Sequence, residues 1–491
     1  NYYVTDYATS KTVRQLWVNG KKAQRARSGL IKGTGSYDNT ADSSYSIDGI
    51  KFSKSVVSYD DIKDESFLEL VWDATWTRQR FYVPKSGIIS IGDTTGAFLP
   101  KRYGYAVNKL NTYIAPSYNK SFRIENALCF LDEEGEFYYD RTAKKLYYYP
   151  VSNENIDDSE IYVGVSEGLI DIKGTVNNPV KNISFEDITL EHGTWLTPMR
   201  NGAYFLQNDM LLTSDAVDSC YGGDRMHAQV EVNYADNINF KNVKISHVGS
   251  AGISFTEGVS NSNIESCTIT DTAAGGIMLG HWEHRFKDES PLTCVNNTVI
   301  NNTLTNIAHE YGGQCGISAY YVKDTKINNN TLSDLPYTGI SIGWGWEMPA
   351  VAQSGGNEIK ANRISNYMNE LSDGAGIYTL GNFTDMTVSE NYIFDNEVRH
   401  SKVLAHGLYA DQGTKNVTFS NNVIEDSAQW IYARDNAGIK NVKIKNNYTN
   451  NISVKYVNTS DTSVAEFSGN TDCSGGFPTA AKNIINASGA K

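Results

Sequence analysis

Between Gly252 and Tyr432 apolar residues recur in one short pattern, Gly-Ile-x-apolar or a close variant. Its copies are Gly252-Ile-Ser-Phe, Gly276-Ile-Met-Leu, Gly316-Ile-Ser-Ala, Gly339-Ile-Ser-Ile, Gly376-Ile-Tyr-Thr, Gly407-Leu-Tyr-Ala and Trp430-Ile-Tyr-Ala. The intervals run from 23 to 40 residues, a base period of about 23 with insertions. A second column, apolar-x-x-Asn-x-apolar, keeps phase with the first. It holds Asn302, Asn330, Asn362, Asn391, Asn422 and Asn447, with Val243 and Cys267 in the same slot earlier. Two columns in phase mean stacked coils that each contribute the same strands. The pattern predicts an all-β chain whose main part is a right-handed parallel β-helix, its coils burying one continuous apolar interior.

The first 170 residues or so lack this repeat. Phe67-Leu-Glu-Leu-Val-Trp and Lys145-Leu-Tyr-Tyr-Tyr-Pro read as antiparallel strands, and Asp132-Glu-Glu-Gly-Glu-Phe-Tyr-Tyr reads as a hairpin. The expected organisation is a β-sandwich-like capping module over 1–175, a β-helix catalytic domain over 176–460 and a Ser/Gly/Asn-rich cap or tail over 461–491. Asn tolerates left-handed turns, and stacked Asn side chains can bond from coil to coil. Sequons such as Asn301-Asn-Thr and Asn329-Asn-Thr then follow from the repeat and are read as turn structure.

The insertions fall on coils between 276 and 407, at the two ends of the Gly-column strand. Loops gathered on one face of a solenoid often form its binding face. These loops carry what sugars need: His281, Trp282, His284, Glu310, Trp344, Trp346 and Glu347. Aromatics in the Gly343-Trp-Gly-Trp-Glu-Met-Pro insertion are expected to be exposed and to stack on pyranose faces.

Two carboxylates stand apart from the rest. Asp411 occupies a column that otherwise holds Thr256, Gly280, Tyr320, Gly343, Leu380 and Arg434, while Asp373 sits three residues before Gly376 on a lengthened turn. Adjacent coils lie about 4.8 Å apart, so carboxylates near one strand on neighbouring coils can face a common pocket. Glycosidic cleavage uses such a pair, one to protonate the leaving oxygen and one to attack or to activate water; their separation distinguishes retention from inversion. Tyr378, His406 and Gln412 flank the pair and complete the expected substrate contacts. Tyr378, Tyr409 and Tyr432 also read as an aromatic stack on the solenoid wall.

Charge narrows the partner. A net charge of −13 disfavours nucleic acid and acidic polysaccharide, both of which need a basic face, and favours a neutral sugar over a pectin-like one. Thirty-one tyrosines against ten prolines suit a β-rich chain. No apolar stretch approaches a membrane span, so no membrane insertion is expected. The opening Asn-Tyr-Tyr-Val-Thr, without Met, reads as a chain trimmed of its signal peptide, with an extracellular or cell-surface location. The six cysteines form no CxxC pair, Cys267 reads as a buried thiol, and neither metal nor cofactor is expected.

Further motifs carry a resemblance. Val13-Arg-Gln-Leu-Trp-Val-Asn-Gly-Lys-Lys-Ala-Gln-Arg-Ala-Arg, Arg123-Ile-Glu-Asn-Ala, Gly135-Glu-Phe-Tyr-Tyr-Asp and Leu146-Tyr-Tyr-Tyr-Pro resemble secreted bacterial β-helix glycoside hydrolases. So do Gly339-Ile-Ser-Ile-Gly-Trp-Gly-Trp and Asp373-Gly-Ala-Gly-Ile-Tyr-Thr-Leu-Gly. Over about residues 13 to 430 the chain is similar to glycoside hydrolase family 141 (fucosidase and xylanase activities) and to family 136 (lacto-N-biosidases). The spaced aspartates fit family 141 better, because family 136 enzymes carry two aspartates close in sequence and position seven after Asp373 is Leu380. The resemblance implies an exo-acting glycosidase that removes a terminal sugar or disaccharide from an oligosaccharide or polysaccharide. A lacto-N-biosidase acting on human-milk-type oligosaccharides is the alternative. A polysaccharide lyase or epimerase, which needs Ca²⁺ or basic residues for its uronate, and a non-catalytic glycan-binding solenoid remain open.

Overall fold

Each coil is closed by residues that a straight strand could not use. A Cβ built on Gly339 would lie 2.5 Å from the Gly376 carbonyl oxygen and 2.9 Å from Ile364 Cγ2, so the close approach of consecutive coils admits only hydrogen there. Asn301, Asn329, Asn421 and Asn446, each just before a member of the Asn column, adopt φ between 52° and 59°. Asn enters that left-handed region more easily than other side-chain-bearing residues. The computed structural model describes residues 2–9, 11–38, 49–101, 119–200, 204–205, 207–212, 224–282, 290–346, 354–396, 405–433, 438–453, 455–457 and 463–491. These divide into two compact units: 1–167 with 192–226, and 168–191 with 227–491.

The second unit is the β-helix. Three parallel sheets of 10, 11 and 10 strands run along it among the described residues, each coil adding one strand to each sheet. The first sheet keeps a single register, in which Ile253, Ile277, Ile317, Ile340, Ile377, Leu408 and Ile431 align. The Gly-Ile repeat is therefore one strand repeated coil after coil. At the opposite corner the Asn column forms a continuous ladder. Nδ2 of each residue from Asn302 to Asn447 donates to Oδ1 of the next, at 2.9 to 3.0 Å, and the ladder ends on Asn470. Cys267 joins it through its backbone N–H, 2.8 Å from Asn302 Oδ1. Burial pushes the Cys267 thiol up to about 11, so it stays a thiol.

Asn362 states what the ladder contributes. It is fully buried; its Nδ2 donates to Ile327 O and Asn391 Oδ1, and its Oδ1 accepts from the backbone and side chain of Asn330. Asn362→Ala strands the buried Asn330 N–H and Ile327 carbonyl, which is expected to cost roughly 3 kcal/mol. The check is the urea midpoint; a shift no larger than that of exposed Asn441→Ala would show the ladder to be energetically idle.

Beyond the last coil, the helix Thr479–Ala487 buries Ala481 against Tyr392 and Val423 on the flank of the third sheet. The final residues continue back along that flank, with Gly489 N bonded to Ala361 O and Ala490 N to Thr331 Oγ1. No helix among the described residues is long and apolar enough to cross a membrane.

The first unit is made of small, mostly antiparallel sheets, as period-two alternation predicts. Leu68–Asp73 pairs with Arg78–Val83, and Glu136–Asp140 pairs with Lys145–Tyr148, whose other edge takes Tyr3–Asp6. Between these layers lies a buried ion cluster. Arg14 donates twice to Glu69, while Arg25 and Arg80 reach Glu125 Oε2 at 2.6 and 2.7 Å. Arg80 also reaches Glu69 at 3.3 Å. All five residues are at most 5% exposed. Cys129, Cys267 and Cys473 are free thiols; Cys220 lies outside the described residues.

Candidate active site

The strands Gly374–Leu380 and Ala405–Ala410 are neighbours in the first sheet, with Tyr378 opposite Tyr409 and Ala375 opposite His406. Asp411 follows the second strand directly. Its N–H donates to Thr379 O at 3.0 Å and its carbonyl accepts from Thr414 N at 2.9 Å, which fixes the point where the side chain leaves the coil. Asp373 precedes the first strand in a left-handed conformation, φ 63°. Its carbonyl accepts a 2.7 Å bond from the Tyr337 hydroxyl, so a buried phenol from the preceding coil holds the turn.

The two carboxylates stand at opposite ends of their strands, yet two tyrosines link them. Tyr378 Oη donates to Asp411 Oδ2 at 2.5 Å, and Tyr409 Oη donates to Asp373 Oδ1 at 3.2 Å. The rings meet edge to face, centroids 4.9 Å apart at 86°. Burial, and then the negative charge of Asp411, hold the Tyr378 proton far above the ordinary phenol range. Burial and the charges of both Asp411 and Asp373 do the same for Tyr409. Both phenols therefore face the carboxyl groups as donors. Both carboxyl groups are half-exposed, and each accepts a hydrogen bond from a neutral phenol.

The other predicted contacts fall in different places. Trp344 is only 2% exposed, with its ring 6.4 Å from Tyr378 and 6.1 Å from Tyr320. The expectation of exposed stacking platforms thus meets a different geometry. The N–H groups of Trp344 and Gly345 both bond the Leu380 carbonyl, at 2.5 and 2.9 Å, which folds the segment back onto the next coil. Trp344 backs the wall, and Trp346, half-buried, packs edge-on against it at 5.0 Å.

His406 is fully buried between Tyr409 and Tyr432, each ring 4.7 Å away. Burial pushes its pKa down to about 3 despite the neighbouring Gln429, so it is a neutral support for Tyr409 rather than a surface contact. Gln412 is exposed beside Asp411. His281 (half-buried), Trp282 and Glu310 belong to earlier coils. The strand before His281 lies three places from Gly374–Leu380 in the sheet, a separation of about 15 Å that only an extended substrate would span. His284 and Glu347 lie outside the described residues.

Two features of the site were not expected. Tyr337 and Tyr409 bind the Asp373 turn directly, although Tyr409 reads in sequence only as part of a wall. His309 staples the same turn from outside: Nδ1 meets Glu370 Oε1 at 3.1 Å and Nε2 meets Asp334 Oδ1 at 3.4 Å. Backbone bonds from Met368 to Tyr337 and from Glu370 and Leu371 to Pro336 complete the clasp. Burial opposes the His309 charge, but the bonds to Asp334 and Glu370 outweigh it and push the pKa up to about 9. A raised pKa gives support that is full below the unfolded value, about 6.5, and lost as pH climbs through 9. Thermal midpoints are expected to fall between those pH values, and His309→Gln is expected to flatten that dependence; an unchanged slope would contradict the clasp.

Residues 3–151 match the family described as GH141 insertion domain. Residues 144–346 and 286–472 match right handed beta helix region, together about two thirds of the chain. No curated protein matches. Among solved structures, one described as glycoside hydrolase is 24% identical at a TM-score of 0.75, covering 100% of this chain and 82% of that one. A rhamnogalacturonan lyase is 13% identical at 0.37, covering 62% and 77%. A GH136 lacto-N-biosidase from Eubacterium ramulus is 13% identical at 0.37, covering 63% and 60%. The chain thus belongs to the right-handed β-helix family and carries, ahead of its coils, a segment of the GH141 insertion domain type.

Proposed function

We propose that this chain is a glycoside hydrolase in which Asp373 and Asp411 form the catalytic pair. The observation that carries the reading is the link between them: two carboxyl groups on adjacent coils, each held by one member of a single tyrosine pair. The match of the N-terminal segment to the GH141 insertion domain supports the same class of chemistry. One carboxyl group protonates the glycosidic oxygen as the bond to the anomeric carbon breaks. The other attacks that carbon or takes a proton from the water that does.

The lengthened loops on the coils between 276 and 407 favour an exo-acting pocket that accepts one or two terminal sugars, and the net charge of −13 favours a neutral glycan. The preferred activity is a family-141-like fucosidase or xylanase. The test is a panel of aryl glycosides of fucose, xylose, galactose and lacto-N-biose incubated with the wild-type chain. Release from one of them names the sugar. Glycan binding without release from any glycoside would replace this reading with that of a binding solenoid.

A further inference from the structure

One column on the outer face of the first sheet changes size partway along the β-helix. Ser254, Met278, Ser318 and Ser341 stand in register with Tyr378, Tyr409, Tyr432 and Tyr456 on the later coils. Strand alternation points this column away from the buried Ile column beside it. Ser318 and Ser341 leave room where the next coil carries the Tyr378 ring, a step two coils or about 10 Å wide beside the phenol that bonds Asp411. Gln314 approaches the step from the start of its strand. It stands two residues before Gly316 as Tyr337 stands before Gly339, and Tyr337 reaches the Asp373 turn. A Cβ built on Gly275 would lie 3.9 Å from both Gln314 Cβ and Met278 Cγ, so Gln314 borders the column itself. Gln314 is 1% exposed, yet neither its Oε1 nor its Nε2 has a hydrogen-bond partner. Past the other end of the strands, Trp344 is buried with its Nε1–H unpaired and its ring 6.4 Å from Tyr378. Buried polar groups are nearly always bonded, because an unpaired one gives up its hydration for nothing.

We propose that the step over Ser318 and Ser341 is the subsite for the sugar beside the scissile bond, and that Gln314 is its specificity-determining residue. A side-chain amide offers a donor and an acceptor together, and two neighbouring sugar hydroxyls answer both. A uronate carboxylate carries acceptors only; it would leave Oε1 unpaired and facing negative charge. The ligand is therefore an uncharged sugar ring. Its anomeric carbon lies toward Tyr378 and the carboxyl pair, its far hydroxyls lie toward Gln314 on the earlier coil, and Trp344 Nε1–H offers one more donor at the opposite rim. The inference rests on the hydrolase reading above and adds to it the place and chemical class of the bound sugar. Gln314 binds away from the breaking bond, and no bond is made or broken there.

The test uses the aryl glycoside that the wild-type chain hydrolyses, together with its monodeoxy analogues. Gln314→Met, close in size and apolar, is expected to lower kcat/KM on the intact glycoside by about a hundredfold. Its urea midpoint is expected to equal or exceed that of wild type, because the change removes a buried amide that nothing in the fold satisfies. Wild type is expected to lose about a hundredfold on at least one deoxy glycoside, and Gln314→Met is expected to lose that discrimination. A midpoint lowered by Gln314→Met, or discrimination among the deoxy glycosides kept in the variant, would make Gln314 a structural residue that holds a buried water. Either result overturns the inference while hydrolysis stands. If wild type hydrolyses no glycoside, the hydrolase reading falls, and the same comparison is read as Kd for those glycosides. Equal Kd for wild type and Gln314→Met would then overturn the subsite as well.

Discussion

Asp411→Asn is expected to lower kcat/KM on an alkyl glycoside by about a thousandfold or more, and Asp373→Asn by a comparable factor. The expectation follows from what each carboxyl group is attached to. Neither belongs to the buried ladder or the apolar interior; both are half-exposed and accept bonds from phenols whose protons burial and the nearby carboxylate charge hold above the ordinary range. Asn keeps the size of the side chain and can still accept from Tyr378 or Tyr409 through its carbonyl oxygen. The coil therefore survives the change while the charge, or the transferable proton, is lost. Circular dichroism and thermal midpoints close to wild type should accompany the lost turnover. A fold lost together with activity would instead make these aspartates structural turn residues.

The largest effect on stability is expected in the first unit. Glu125→Ala leaves Arg25 and Arg80 buried without their shared oxygen and is expected to cost about 3–5 kcal/mol, read as a lower urea midpoint. The wild type should lose the same support in acid. Burial alone would raise the Glu125 pKa, but the Arg80 and Arg25 guanidinium groups overcome it and hold the group down to about 2. A depressed folded pKa contributes stability above the unfolded value, about 4.3, that is lost as pH falls from there toward 2. Glu69 is lowered in the same sense, held by Arg14, Arg25 and Arg80 against its own burial. A midpoint that is flat from pH 5 to pH 2, or a Glu125→Ala variant as stable as wild type, would mean that the cluster contributes little.

The solenoid was legible because its causes are local and repeated. The Gly column is forced by a Cβ that has no room beside the next coil, and the Asn column by one turn and one ladder, so each coil writes the same letters. Asp411 was legible for the complementary reason: it breaks its column with a charge. What periodicity reports is which residues share a column, not which side chains meet at the ends of strands. Tyr409 therefore read as wall, although its hydroxyl reaches a carboxyl group 36 residues earlier. Trp344 read as exposed, because nothing in the sequence says that its insertion turns back onto the Leu380 carbonyl. The ion cluster was hidden by distance along the chain: Arg14 and Glu69 lie 55 residues apart, and Arg25 and Glu125 lie 100 apart. No period joins such pairs, and only the packed layers bring them together.

The central claim is that Asp373 and Asp411 act as one unit on a glycosidic bond. Its most direct test is the kcat/KM of Asp373→Asn, Asp411→Asn and the double variant on the same alkyl glycoside. Groups that serve one step are expected to be strongly non-additive, so the double variant should lose about as much as the worse single one. Losses that multiply in the double variant, or single variants as active as wild type, would contradict the pair.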